Sequence, residues 1–137
     1  MIIRTMSDEQ RRLRRWVMDL ANYLMEEQNV SRKVALRQAH LAKGLLQALG
    51  EGVVTFTYRK KDGSLRTAHG TLRHGICREF DEYQYAGDKP EGDAVEWPYD
   101  HFVYWDLDCQ GFRSFAAMRV DGFEKRKQLW QVEKKNN

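Results

Sequence analysis

The sequence predicts an α+β chain: an N-terminal helical hairpin followed by a small β-barrel of about five strands. Two observations carry this. Apolar residues recur every three or four positions through residues 1–50, and from Val53 the period changes to two. A third is size: 137 residues with 42% hydrophobic composition suit one core with a modest appendage.

The first helix is expected to start at Ser7, with Gln10 three residues on completing a capping box. Leu13, Trp16, Val17, Leu20, Tyr23 and Leu24 form its apolar stripe, and Arg11, Arg12, Arg14 and Arg15 lie mostly off it. Asn29 tolerates the left-handed conformation that ends helices. A second helix is expected after Ser31, its apolar face running from Val34 to Leu49, with Gly50 and Gly52 loosening its end. So short a connection predicts an antiparallel hairpin. Such a pair is ordinarily a packing unit; the sharper alternative is a helix-turn-helix reader of DNA.

Val53–Lys60 reads as a strand, Lys61-Asp62-Gly63 as a turn whose glycine takes a positive φ, and Ser64–Leu72 as the return strand. Gly70 is expected to mark a bulge or bend. Residues 73–79 are expected to continue the sheet or start a third strand. Residues 80–100, rich in Asp, Glu, Gly and Pro, read as a long loop. His101–Leu107 and Phe112–Val120 read as two strands joined at Cys109-Gln110-Gly111. The tail after Phe123 is ambiguous: Leu129, Trp130 and Val132 could dock, and the last residues should fray. The expected organisation is a hairpin over 1–50, a barrel of the SH3 or Sm type over 51–123 with an acidic loop at 80–100, and a tail over 124–137.

Charge is uneven although the net is only +3. Residues 80–111 hold nine acidic residues against one lysine, and the segments on either side are basic. Such a basic surface draws polyanions, although charge runs are commonly just solvated faces. The acidic loop is either a solubilising segment or a polyanion mimic lying over the basic barrel face. Two cysteines, Cys77 and Cys109, outside any CxxC pair, exclude a disulfide framework. No apolar run reaches membrane-spanning length, and the opening residues lack a signal-peptide core, so a cytoplasmic protein without membrane contact is expected.

The run FTYRKKDGSLRTAHGTL, followed later by HFVYWDLDCQGFRSFAAMRV, resembles the WYL domain, an SH3/Sm-like barrel of bacterial transcription regulators. Tyr58, Lys60, Lys61, Asp62, Gly63 and Arg66 match its aromatic strand, basic Asp-Gly hairpin and following arginine. Val103-Tyr104-Trp105-Asp106-Leu107 is similar to the Trp-Tyr-Leu strand without reproducing the triplet. Arg113, Phe115 and Arg119 match the closing Arg-x-Phe strand in kind, the second arginine lying farther along than usual. The resemblance covers roughly residues 53–121 and is nearest to a short, divergent group found in gut Bacteroidetes and their mobile elements, without a separate winged DNA-binding domain. It implies a module sensing a ligand or nucleic acid through barrel arginines.

Arg113, Arg66 and Arg119 are therefore the leading ligand-binding candidates, with Lys61 and Tyr104 beside them. A guanidinium can hold a phosphate with two hydrogen bonds or stack on a base. Each of these could equally be an ordinary surface or ion-paired side chain. Tyr58, Tyr104, Trp105 and Phe115 are candidate stacking platforms, although large aromatics on short strands are usually core. Strand alternation is expected to put Trp105 in the core and Tyr104 on the surface. His74, Cys77, His101 and Cys109 have loose zinc spacing, and surface histidines with unremarkable thiols are the plainer reading; no metal or cofactor is expected. No nucleophile–base spacing or phosphate loop is present, so an enzyme is not expected. The expected function is a small intracellular module binding nucleic acid or a nucleotide-like anion. The alternative is a protein–protein adaptor, self-associating or holding a partner through the hairpin, with no nucleic-acid role.

Overall fold

The computed structural model describes residues 6–85 and 99–125. Helix α1 (Asp8–Gln28) opens on the predicted capping box: the Ser7 hydroxyl accepts from the Gln10 N–H, and the Gln10 side chain accepts from the Ser7 N–H. It stops at Asn29, whose φ of 51° is left-handed. Helix α2 (Arg32–Glu51) is capped by Ser31 and ends where the Gly52 N–H bonds the Ala48 carbonyl. Val17, Leu20, Ala21 and Leu24 of α1 bury against Ala35, Ala39 and Ala42 of α2. The small alanines let the two helices approach closely.

Five strands follow: β1 (Val54–Arg59), β2 (Leu65–Thr71), β3 (His101–Asp106), β4 (Gly111–Ala116) and β5 (Val120–Lys125), in spatial order β4-β3-β2-β1-β5. All neighbours are antiparallel. The Gly63 turn has the expected positive φ, 87°. β4 stops at Ala116 rather than running to Val120. Residues 117–119 form a 3-10 turn, and the chain then crosses to pair β5 with β1. Gln38 of α2 is buried, and its amide donates to the carbonyls of Ala117 and Val120 at 3.0 and 3.1 Å, fixing that crossing onto the helix.

Residues 73–79 do not extend the sheet, and the stretch expected as a loop begins as helix α3 (Arg78–Tyr85). The rest of the expected acidic loop, residues 86–98, lies outside the described residues, as does the tail beyond Lys125. Helix α3 explains a second difference. Alternation was expected to bury Trp105 and expose Tyr104, yet both are buried. The sheet is covered on two faces. Tyr104 points toward α2 with Phe56, Tyr58, Leu45 and Phe115, while Trp105 points the other way, onto Phe80 and Cys77 of the α3 region.

Gly70 is regularly paired with Val54 and Asp106, so it is neither bulge nor bend. A Cβ there would fall 2.6 Å from Cδ2 of Tyr104; glycine is required because the ring lies directly against the backbone. Among the described residues no helix is long and apolar enough to cross a membrane.

Candidate functional site

The inward face of the sheet starts as hydrocarbon near α2 and ends as a polar cluster. Tyr58 faces Arg66 across β1 and β2, and Tyr104 faces Arg113 across β3 and β4. Asp106, two residues after Tyr104, shares its face. These five side chains therefore converge on one end of the barrel interior.

Asp106 organises them. Its side chain is 0% exposed, and Oδ2 lies 3.0 Å from Nη2 of Arg66 and 3.3 Å from Nε of Arg113. Its other oxygen accepts the backbone N–H groups of Asp108 and Cys109 at 2.8 and 3.1 Å, closing the turn into β4. The Tyr58 and Tyr104 hydroxyls lie 3.1 Å apart, and the latter donates to Asp106 Oδ2 at 3.5 Å. Burial alone would raise the Asp106 pKa. The N–H groups of Cys109 and Asp108, then the two guanidinium groups, outweigh it and hold the carboxyl below its usual range. Burial, followed by the hydrogen bond it shares with Tyr58, pushes the Tyr104 hydroxyl well above the phenol range.

The arginines are held unequally. Arg66 is 21% exposed, and its Nε is buried without a hydrogen-bond partner. An unsatisfied buried donor costs about 1–3 kcal/mol, so the cluster carries an energetic penalty that packing alone does not explain. Arg113 is 41% exposed and anchored through Nε, which donates to the Cys109 sulfur at 3.3 Å besides facing Asp106. The Cys109 bond, opposed by partial desolvation and helped by Asp106 and Tyr104, raises its pKa further. Its two terminal nitrogens make no hydrogen bond among the described residues. The result is a fixed, outward-facing fork of donors. Two cations against one carboxylate leave the cluster net positive.

Of the other sequence candidates, Lys61 and Arg119 are not part of it, and Tyr104 joins it only through its buried hydroxyl. Tyr104 is in the core, so its ring cannot be the surface platform expected of it. Lys61 is exposed at the β1–β2 turn and Arg119 is exposed on the 3-10 turn; among the described residues neither pairs with Asp106. Of the exposed aromatics among the described residues, Tyr99 packs on Tyr23 of α1, and the other two lie on the opposite face of the sheet. There Phe112 (39% exposed) and Tyr83 (53%) pack 5.1 Å apart over Trp105. Asp106 was missed as a member of the site, and Tyr58 and Cys109 were read only as a candidate stacking platform and a loose zinc ligand. The available signal was an aspartate in an aromatic strand, Tyr104-Trp105-Asp106, which needs a cationic partner once buried.

The residues with loose zinc spacing are engaged elsewhere. His74 bonds Asp81 at 3.0 Å and stacks on Phe80, and the Cys77 thiol donates to Glu79 and Gln110. Among the described residues no group of three or more His, Cys, Asp or Glu side chains could hold a metal ion. The described carboxylates of the acidic stretch are also engaged locally: Asp81 with His74 and the Gly75 N–H, Glu82 with Arg78, and Asp100 buried beside His101. None of these three touches Arg66 or Arg113.

No curated protein and no solved structure matches the chain. Residues 42–121, more than half of the 137, match the model of the WYL_2 family, which has an Sm-like SH3 β-barrel fold, a likeness that supports a small binding or regulatory module. The matched span takes in the end of α2, all of β1 to β4 and the whole Tyr–Asp–Arg cluster, and the chain belongs to that family.

Proposed function

We propose that this chain is a cytoplasmic binding module, rather than an enzyme, that takes a phosphate-bearing ligand, nucleic acid or nucleotide-like, at the Arg66–Arg113 end of the barrel. One observation carries the reading. Arg113 is fixed through Nε by Asp106 and Cys109, its side chain is 41% exposed, and among the described residues its terminal nitrogens make no hydrogen bond. An oriented guanidinium loses little entropy on binding and matches two phosphate oxygens at once. Arg66 adds a second charge from β2. The mouth of a barrel is a usual place for such a site.

The adaptor reading has its own support in the exposed Tyr83–Phe112 pair, an apolar patch suited to a protein partner or a second copy. Titration of a fluorescein-labelled single-stranded 20-mer at several ionic strengths separates the two. A phosphate site gives binding at low salt that weakens with a log–log slope of about −0.7 per phosphate neutralised. Absence of binding at low salt assigns the function to the adaptor.

A further inference from the structure

Among the described residues, a row of unpaired cations lies away from the barrel. Helix α2 carries Arg32, Lys33, Arg37 and Lys43, and no carboxylate before Glu51. Lys33, Arg37 and His40 are exposed and Lys43 is half-buried. Their spacing of three or four residues lines them along one face, opposite the face that packs on α1 and the sheet. Among the described residues none of these cations makes an ion pair.

Helix α1 adds a second row. Arg14 borders a groove of about 430 Å³ between the helices together with His40 and Lys43, over a floor that includes Leu13 and Leu36. Arg11 and Arg15 continue outward along α1, and of the three only Arg11 has an acidic partner, an exposed contact to Asp8 at 3.9 Å.

We infer that this face of the helical hairpin is a second binding surface, independent of the barrel arginines, for the phosphate backbone of a nucleic-acid duplex. Lys33 to Lys43 spans roughly 15 Å at about 1.5 Å per residue. One strand of a duplex presents a phosphate about every 3.4 Å of axis, so the stripe faces about four of them. Packed helices lie about 8–10 Å apart, so two cationic rows fit phosphates on the two sides of a groove about 6–12 Å wide. A lipid surface fits less well. A membrane-binding amphipathic helix inserts its apolar face, and here the apolar faces of both helices are consumed by the core. Contacts of this kind position the protein without reading sequence.

The test uses the full chain and a fluorescein-labelled 20-base-pair duplex at about 50 mM salt, a concentration at which backbone contacts are strong. Wild type binds. The Lys33→Gln/Arg37→Gln/Lys43→Gln variant binds at least tenfold more weakly, with its salt slope reduced by about 2.7, at about 0.9 per contact. Lys33→Gln/Arg37→Gln touches exposed positions only and loses about 1.8 of slope, so the reading survives if the triple variant folds poorly. The same loss of slope appears when Lys33→Gln/Arg37→Gln is made in an Arg113→Gln background, and this additivity separates the surface from the barrel site. No duplex binding by wild type, or equal binding by the helix variants, overturns the inference. Equal displacement by poly-glutamate at matched charge overturns it in favour of an acidic protein partner. Binding to phosphatidylserine vesicles without duplex binding overturns it in favour of a membrane.

Discussion

Arg66 and Arg113 come from strands that are not neighbours in the sheet, yet both guanidinium groups lie within 3.3 Å of the same oxygen of Asp106. β3 stands between β2 and β4 over part of its length, pairing with β2 only at Gly70 and Thr71. The outer half of β2 is thereby free to bring Arg66 round to the carboxylate. The cluster is thus a product of sheet curvature and cannot be assigned to any one hairpin.

Asp106 is therefore the residue whose loss should cost the fold most at this end. Asp106→Ala strands two guanidinium groups and removes the acceptor of two turn N–H groups. Destabilisation of roughly 3 kcal/mol is expected, the low end for a stranded buried charge, because half-exposed Arg113 can swing into water. Urea denaturation of wild type and variant measures it. A loss below about 0.5 kcal/mol, typical of an ordinary surface position, contradicts the role given to Asp106.

The pH dependence has two sides. Asp106 titrates below its unfolded value of about 3.9, so its contribution is present above that pH and lost as pH falls through the folded value. Wild type should lose stability below about pH 4, and Asp106→Asn should lack that share of the loss. Tyr104 is raised, so its contribution is intact below about pH 10 and is lost as pH rises above that. Tyr104→Phe should be less stable by about 1 kcal/mol at neutral pH, for the lost hydrogen bond, and should have a flatter alkaline limb. Thermal melts from pH 3 to 11 test both; parallel curves for variant and wild type contradict the assignment.

Gly70→Ala should be destabilising by about 1–3 kcal/mol through overpacking, because the new methyl meets the Tyr104 ring at 2.6 Å. Gly50→Ala, with nothing within 4 Å of the added carbon, is the control. Equal melting of the two variants contradicts the close approach.

In the hairpin, Leu24→Ala should cost about 2–5 kcal/mol, since Leu24 has no exposed surface. Trp16→Ala should fall short of the 3–5 kcal/mol usual for a fully buried ring, because Trp16 is only half-buried, against Phe102. Guanidinium unfolding ranks the pair; a greater loss for Trp16 places that ring deeper in the core than described.

Much of the fold was legible in local chemistry. Ser7 with Gln10, Asn29, Ser31 and the Asp62-Gly63 turn fix boundaries within a few residues, and the change of period at Val53 marks the passage from helix to sheet. Helix α3 was hidden by its composition: REFDEYQY is short and mostly polar, and Phe80 and Tyr83, packed on Trp105, tie it down. Missing α3 caused the error at Tyr104. With only one face of β3 assumed covered, either Tyr104 or Trp105 had to be outside. At the site, Arg66 and Arg113 were legible as strand arginines in a basic hairpin and a closing strand. Their convergence was not, because it depends on where β2 leaves β3, which no local pattern encodes.

The central claim is that Arg113 is an oriented anion-binding fork at the barrel mouth. Its most direct test is fluorescence anisotropy of a labelled single-stranded 20-mer at about 50 mM salt, where phosphate contacts dominate, with wild type and Arg113→Gln. The glutamine removes the charge while sparing Asp106 a facing carboxylate, and a matched melting curve verifies the fold. At least tenfold weaker binding by the variant is the predicted result. Equal affinity of the two proteins, or no binding by wild type, contradicts the account.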